Sequence, residues 1–332
     1  MVIVACSIDR AHAPSFLIGA ALCLCVGAAC IRTGDVFELV GSEHTGTSAA
    51  GSEVTGSNTS GGSEGGALED GFAAPCPNVL PPTWIVCEDF EAPAELESVL
   101  FEHRSVGDTF VLSSSTGASG TRSLAMSYLE GGDARGSLAF GRSPTAYAPP
   151  NFAVDQDFTD IHVRIRFKAD DAWSGFAADG FLRVSSFANS DWAHAATVLV
   201  SADVTGKLAI EPFSCVQGAV VECMQNYDFA HLRSLGRVLG PDIVFDPGAA
   251  QTWRCLELRM TLNSPGATDG SIAFWLDDMV QGSLEGLDLR GSWTEYGINQ
   301  LGFSGGSPAP SAGQAWLWFD DLVISTEPIG CE

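Results

Sequence analysis

The sequence predicts an all-β protein in which two antiparallel sheets stack face to face, and three observations predict it. Short segments rich in Val, Ile and aromatic residues recur through the chain, punctuated by Gly, Pro, Asn and Asp, the composition of strands and their turns. In two of them the alternation is strict. Ile161, Val163, Ile165 and Phe167 oppose His162, Arg164, Arg166 and Lys168, and Leu256, Leu258, Met260 and Leu262 oppose Glu257, Arg259 and Thr261. Successive strand residues point to opposite faces, so each segment has one core face and one polar face. No apolar pattern of helical period is long enough to compete. Many such strands in one domain call for two packed antiparallel sheets rather than a helix-covered parallel one.

The chain divides into three parts. Residues 1–29 contain FLIGAALCLCVGAA, Phe16 to Ala29, without a charge. A helical span needs about 20 apolar residues, so this is a signal-peptide core and not a membrane span. Residues 30–74 are dominated by Gly, Ser, Thr and Glu. With no periodicity and too little apolar surface to offset ordering entropy, they are predicted to form a flexible tether. Residues 75–332 suffice for one large β domain. In chain order its clearest strands are DIHVRIRFKAD from Asp160, GFLRVSSFA from Gly180, ATVLVSA from Ala196, GKLAIEPF from Gly206, CLELRMTL from Cys255, SIAFWLDD from Ser271 and AWLWFDDLVIST from Ala315. Asn263-Ser264-Pro265-Gly266 and Asp269-Gly270 carry turn residues, so CLELRMTL and SIAFWLDD should pair as a hairpin.

The ten cysteines follow the same division. Cys6, Cys23 and Cys25 lie in the leader, Cys30 closes it, and Cys76, Cys87, Cys215, Cys223, Cys255 and Cys331 form an even set beyond, as expected of an exported, oxidised domain. Spacing favours Cys76–Cys87 and Cys215–Cys223, leaving Cys255 for Cys331; Cys87 to Cys331 is the rival bridge. Gly27-Ala28-Ala29 before Cys30 resembles the lipobox of bacterial lipoproteins, which implies acylation of Cys30 and a membrane contact through lipid alone. Cleavage without lipid is the alternative. The implied location is the bacterial cell envelope, at the outer membrane or cell surface.

The formal net charge is −25, with 33 acidic and 14 basic residues from Pro75 onward. That balance argues against nucleic acid and anionic headgroups as partners.

Trp253 to Gly282, WRCLELRMTLNSPGATDGSIAFWLDDMVQG, resembles the paired strands of the concanavalin A-like lectin and glucanase superfamily. The terminal WFDDLVISTEPIGC and the opening CEDFE resemble the two ends of lectin-like domains found beside or within polysaccharide lyases and laminin G-like modules. The resemblance, over most of Cys87 to Cys331, implies a jelly roll and no particular reaction.

Several side chains are candidates for a ligand. Trp275 should share a face with Glu257 and Arg259, where an indole can stack on a sugar ring while the charged groups meet its hydroxyls. Arg164, Arg166 and Lys168 line one strand face at roughly 7 Å steps, a spacing suited to a uronate chain. Catalysis is less well marked. Glucanases of this fold carry Glu and Asp two residues apart on one strand, and no Glu here has Asp two positions later. Lyase chemistry needs a Tyr, His or Lys base and a partner to neutralise a uronate carboxylate. Tyr227, Tyr296, His194, His231, Asn299 and Gln300 are available, outside any motif, and the E-x-R of WRCLELRM resembles some alginate lyase strands whose companion motifs are missing. Nucleophilic-hydrolase and zinc signatures are absent from the sequence. Glu88, Asp89 and Glu91 at one end and Asp320 and Asp321 at the other would suit a structural Ca²⁺ if the two ends meet; no other cofactor is expected.

The expectation is a lipid-anchored carbohydrate-binding module without catalysis. The alternatives are a polysaccharide lyase acting on a uronate glycan and a surface module that binds no glycan.

Overall fold

Alternating apolar residues become the inward faces of two stacked sheets. The computed structural model describes residues 76–77, 79–92, 95–128, 134–144, 151–170, 180–225, 228, 230–246, 251–305 and 315–331, all within one unit, Gly66–Glu332. The leader, Cys30, the tether and Tyr227 lie outside the described residues.

The first strands are β1 (Trp84–Glu88), β2 (Glu102–Ser105), β3 (Phe110–Ser113), β4 (Ser123–Tyr128), β5 (Ala134–Phe140) and β6 (Asn151–Phe152). The middle of the chain supplies β7 (Asp160–Ala169), β8 (Leu182–Phe187), β9 (His194–Ala202), β10 (Lys207–Ser214), β11 (Val216–Gln217), β12 (Val220–Val221) and β13 (Arg233–Ser234). It ends with β14 (Val238–Ile243), β15 (Arg254–Thr261), β16 (Gly270–Leu276), β17 (Met279–Leu287), β18 (Gln300–Gly305) and β19 (Ala315–Ser325). One sheet has eight strands, ordered β17-β16-β15-β7-β19-β4-β3 with β1 also on β19. The other has nine, ordered β13-β10-β9-β8-β18-β5-β2 with β14 on β10 and β6 on β5. All their pairings are antiparallel except β5 with β6, so the protein is a two-sheet jelly-roll sandwich.

The core lies between the sheets. Ile161, Val163, Ile165 and Phe167 of β7 and Leu256, Leu258 and Met260 of β15 meet Leu182 and Val184 of β8 and Val198 and Val200 of β9. Each fully buried side chain of this size contributes about 1.5–3 kcal/mol by leaving water. The expected hairpin forms with Leu256 opposite Leu276, Leu258 opposite Phe274 and Glu257 opposite Trp275.

One feature of β19 interrupts the alternation. Leu317 and Phe319 point inward, but so do Leu322 and Ile324, because the register shifts between Asp320 and Val323 at a bulge where Asp321 has φ +47°. A bulge inserts one extra residue and re-aims its neighbours. Asp320 and Asp321 are thereby both turned away from the core.

All three disulfides favoured by spacing are present: Cys76–Cys87, Cys215–Cys223 and Cys255–Cys331. Such bridges persist in oxidising compartments, which marks the domain as exported.

Candidate functional site

The outer face of the eight-stranded sheet, where the ligand is expected from the sequence, is covered around Arg164, Arg166 and Glu257 by the chain's own C-terminal segment. Arg164 and Arg166 are buried, and their guanidinium groups donate to the carbonyls of Gly330 at 3.4 Å and Cys331 at 2.8 Å. Arg166 Nε also lies 3.1 Å from Asp321 Oδ2, and Arg164 sits over the Trp84 ring. Glu257 is buried, bound to His162 Nδ1 at 2.6 Å and accepting from the backbone of Ile329 and Gly330. Arg259 forms a two-pronged bond with Asp160. Trp275 stacks near His162. Two expectations are therefore corrected in part: Arg164 and Arg166 of the expected Arg164, Arg166 and Lys168 stripe, and Glu257 of the group with Trp275, hold the C-terminal segment, while Arg259 holds Asp160 of a neighbouring strand. The physical reason is long range, since the Cys255–Cys331 bridge pins that segment across the face. Lys168 is half-buried beside Trp318, and Arg259 and Trp275 are half-buried as well.

Three of the carboxylates considered for calcium, Glu91, Asp320 and Asp321, accept from the 118–122 loop. Glu91 accepts the N–H groups of Thr121 and Arg122, Asp320 that of Ala118, and Asp321 the Ser119 hydroxyl. Glu88 and Asp89 accept from the backbone of Phe90 and Glu91. Burial, then the neighbouring Asp321 charge, pushes the Asp320 carboxyl up to about 7. Among the described residues no three His, Cys, Asp or Glu groups converge as metal ligands do.

The nine-stranded sheet presents a different outer face. Leu182 and Val184 of β8 and Leu301 and Phe303 of β18 point inward, so Arg183, Ser185, Gln300 and Gly302 point outward. The cross-strand registers line them up. Gly302 lies between Ser137 and Arg183, and Gln300 between Ala139 and Ser185, which in turn faces Thr197. A Cβ at 302 would stand 2.8 Å from the Gln300 amide nitrogen and 3.4 Å from Arg183 Nε and would displace those side-chain ends. Both long side chains therefore lean over the same bare stretch of backbone. Gln300 Nε2 donates to Ser137 Oγ at 2.9 Å, and the Ser185 and Thr197 hydroxyls are 2.7 Å apart.

Among the described residues Gln300 Oε1 and His194 Nε2, both buried on this sheet, have no hydrogen-bond partner. His194 opens β9 and stacks on Phe187 with ring centroids 4.7 Å apart. Burial, then the charge of Arg183, holds its pKa well below 6.5, so the imidazole is neutral.

An aromatic pair crosses above. Trp192, in the β8–β9 connection, stacks on Phe101 beside β2 with centroids 5.2 Å apart. Strands β18 and β5 lie between the two attachment points, and neither ring belongs to the core between the sheets, so the pair spans the outer side. Trp192 has φ +66°, a left-handed conformation that strains a bulky residue by about 1–3 kcal/mol. The loop holds it there through Asn189, whose side-chain oxygen accepts from the backbone of Asp191 and Ala193.

Of the sequence candidates, His194 and Gln300 both lie on this sheet, on β9 and β18 with β8 between them. Asn299 is tied to the backbone of Phe187, His231 to Asp228 on an exposed loop, and Tyr296 lies under Arg142. Arg183 and Trp192 were missed: GFLRVSSFA shows a lone Arg between apolar residues, and nothing local marks the face it joins.

No family model matches the chain, and no curated protein matches it. Among solved structures it is similar to an endo-β-1,4-glucuronan lyase from the fungus Trichoderma reesei, at 12% identity over 74% of this chain and 96% of that one, with a TM-score of 0.48. It is also similar to a marine alginate lyase from Aplysia kurodai, at 15% identity over 74% and 100%, TM-score 0.45, and to an alginate lyase from Chlorella virus, at 13% identity over 74% and 100%, TM-score 0.45. Likeness of this degree leaves the function to be argued from the site's own residues.

Proposed function

We propose that the domain binds a carboxylate-bearing glycan on the outer face of the nine-stranded sheet. Arg183 and Gln300 would meet the carboxylate, Ser137, Ser185 and Thr197 the sugar hydroxyls, and the Phe101–Trp192 pair a pyranose face. The observation that carries this is the pair of unpartnered buried atoms, Gln300 Oε1 and His194 Nε2, on a sheet that also holds Arg183. Leaving such a group unsatisfied costs about 1–3 kcal/mol, and a ligand that supplies hydroxyl donors removes that cost. Acyl chains on Cys30 and the tether of residues 30–74 would present the domain at a bacterial envelope surface.

A second reading, polysaccharide lyase, is favoured by the neutral His194. A neutral imidazole can take the proton on the carbon beside a uronate carboxylate while Arg183 and Gln300 hold the negative charge that develops there. The C–H electron pair then forms the double bond, the glycosidic oxygen departs with the electrons of the broken C–O bond, and it takes a proton from solvent water.

Binding of the full chain to alginate, polygalacturonate and a neutral β-glucan tests both readings, with absorbance followed for unsaturated uronate. Retention on a uronate polymer that Arg183→Leu weakens by about tenfold or more supports the site, since a charge-assisted pair contributes about 1.5–3 kcal/mol. Product that His194→Gln abolishes supports the lyase. Equal binding by the wild type and Arg183→Leu removes this site.

A further inference from the structure

Among the described residues, the C-terminal segment covers only part of the outer face of the eight-stranded sheet. The C-terminal segment reaches Arg166, through Cys331, and two residues farther along β7 stands Lys168. Its cross-strand partner on β19 is Trp318, with Trp316 two residues away on the same face. Leu317 and Phe319, alternating with them, enter the core. Both indoles are half-buried, their planes lie 18° apart with centroids 6.5 Å apart, and Lys168 Nζ lies 5.6 Å from the centre of the Trp318 ring. On the other side the indoles face Ser127 and Ala125 of β4, side chains too short to cover them. Asp170 fixes the end of the strand, exchanging backbone bonds with Trp316 through its own N–H and its carboxylate.

This arrangement has two chemical properties. Near-parallel indoles offer apolar faces of one orientation, which suits the flat C–H face of a pyranose ring. Lys168 adds a cation beside them in a domain of 33 acidic and 14 basic residues, so the spot is complementary to an anionic sugar rather than to another acidic protein surface.

We propose that Trp316, Trp318 and Lys168 form a second glycan-binding surface, on the opposite side of the sandwich from Arg183, and that it takes a uronate-containing polysaccharide. The indoles stack on sugar faces, and the Lys168 ammonium meets a carboxylate. With contacts on both outer faces, one domain can hold two polysaccharide segments at once. The surface stands on its own residues and does not require the nine-stranded face to function.

The experiment is retardation of the full chain in gels containing polygalacturonate, or hydroxyethylcellulose as the neutral control, in the wild type and in an Arg183→Leu background. Residual polygalacturonate binding in that background is expected, weakened about tenfold by Trp316→Ala with Trp318→Ala. Trp318→Phe, which keeps a ring, should retain most of it. Lys168→Gln should weaken polygalacturonate binding and its salt dependence without changing behaviour on hydroxyethylcellulose. Should the double Trp variant lose its cooperative melt, Lys168→Gln decides. Absence of residual binding in the Arg183→Leu background, or residual binding indifferent to the Trp pair or to Lys168, overturns this surface and leaves the Arg183 site standing. Loss through the Trp pair with no effect of Arg183→Leu does the reverse.

Discussion

Glu257 binds His162 and the C-terminal segment with one carboxylate: Oε1 lies 2.6 Å from His162 Nδ1 and 3.2 Å from the Ile329 nitrogen, while Oε2 accepts from Gly330 at 2.8 Å. Burial alone would raise its pKa, but the hydrogen bond with His162 and those from Gly330 and Ile329 outweigh it and leave the carboxyl below its ordinary 4.5. A depressed folded pKa contributes stability that is present above 4.5 and is lost as the pH falls through the folded value. Glu257→Ala should therefore destabilise the domain by about 3 kcal/mol, the lower end for breaking a buried ion pair. Urea unfolding at pH 7 and pH 4 should show the wild type losing stability toward acid more steeply than Glu257→Gln.

His194 acts in the same direction by another route. Its folded pKa is held well below 6.5, chiefly by burial, so below that pH the unfolded chain takes up a proton that the folded chain refuses. Stability should fall from pH 6.5 downward, by at most about 1.4 kcal/mol per pH unit for one proton. His194→Leu should flatten this part of the profile in denaturant titrations. An unchanged slope would place the imidazole in water.

The Cys255–Cys331 bridge closes a sequence separation of 76, and a loop of this size stabilises by about 4 kcal/mol through the unfolded chain. Replacing both cysteines with Ser should lower the melting temperature by nearly twice the shift from replacing Cys215 and Cys223, whose separation is 8, because the stabilisation grows only with the logarithm of the loop length. It should also make the 326–331 backbone exchange its amide hydrogens faster, because the strap over Arg164 and Arg166 is then held by hydrogen bonds alone.

Calcium at Glu88, Asp89, Glu91, Asp320 and Asp321 is a proposal supported by the shared contact of Glu91, Asp320 and Asp321 with the 118–122 loop. It predicts a melting temperature that rises with millimolar Ca²⁺ and falls with chelator. A melt indifferent to both would leave these groups as loop anchors, with Asp320→Asn then tolerated.

The strands of β7, β15 and β16 could be read directly because their alternation is local: each apolar residue at an odd or even position reports its own face. The same reasoning misjudged the other face. Arg164, Arg166 and Glu257 alternate as solvated groups do, yet they are buried by residues that follow β7 by more than 150 positions, and alternation carries no information about a segment arriving from so far away. Arg183 shows the converse. It sits among apolar neighbours in β8, and only the pairing of β8 with β18 and of β18 with β5 sets it beside Gly302, Gln300 and Ser137.

The sequence by itself determined the class of fold and the inward faces of β7, β15 and β16 and favoured the disulfide pairing that forms, since these follow from side-chain period, turn residues and cysteine spacing. The tertiary structure alone decided which outer face is covered, which polar groups share a sheet and where the bulge at Asp321 turns two carboxylates outward. Those outcomes depend on strand order and on the path of the C-terminus, both set by packing between residues distant in the chain.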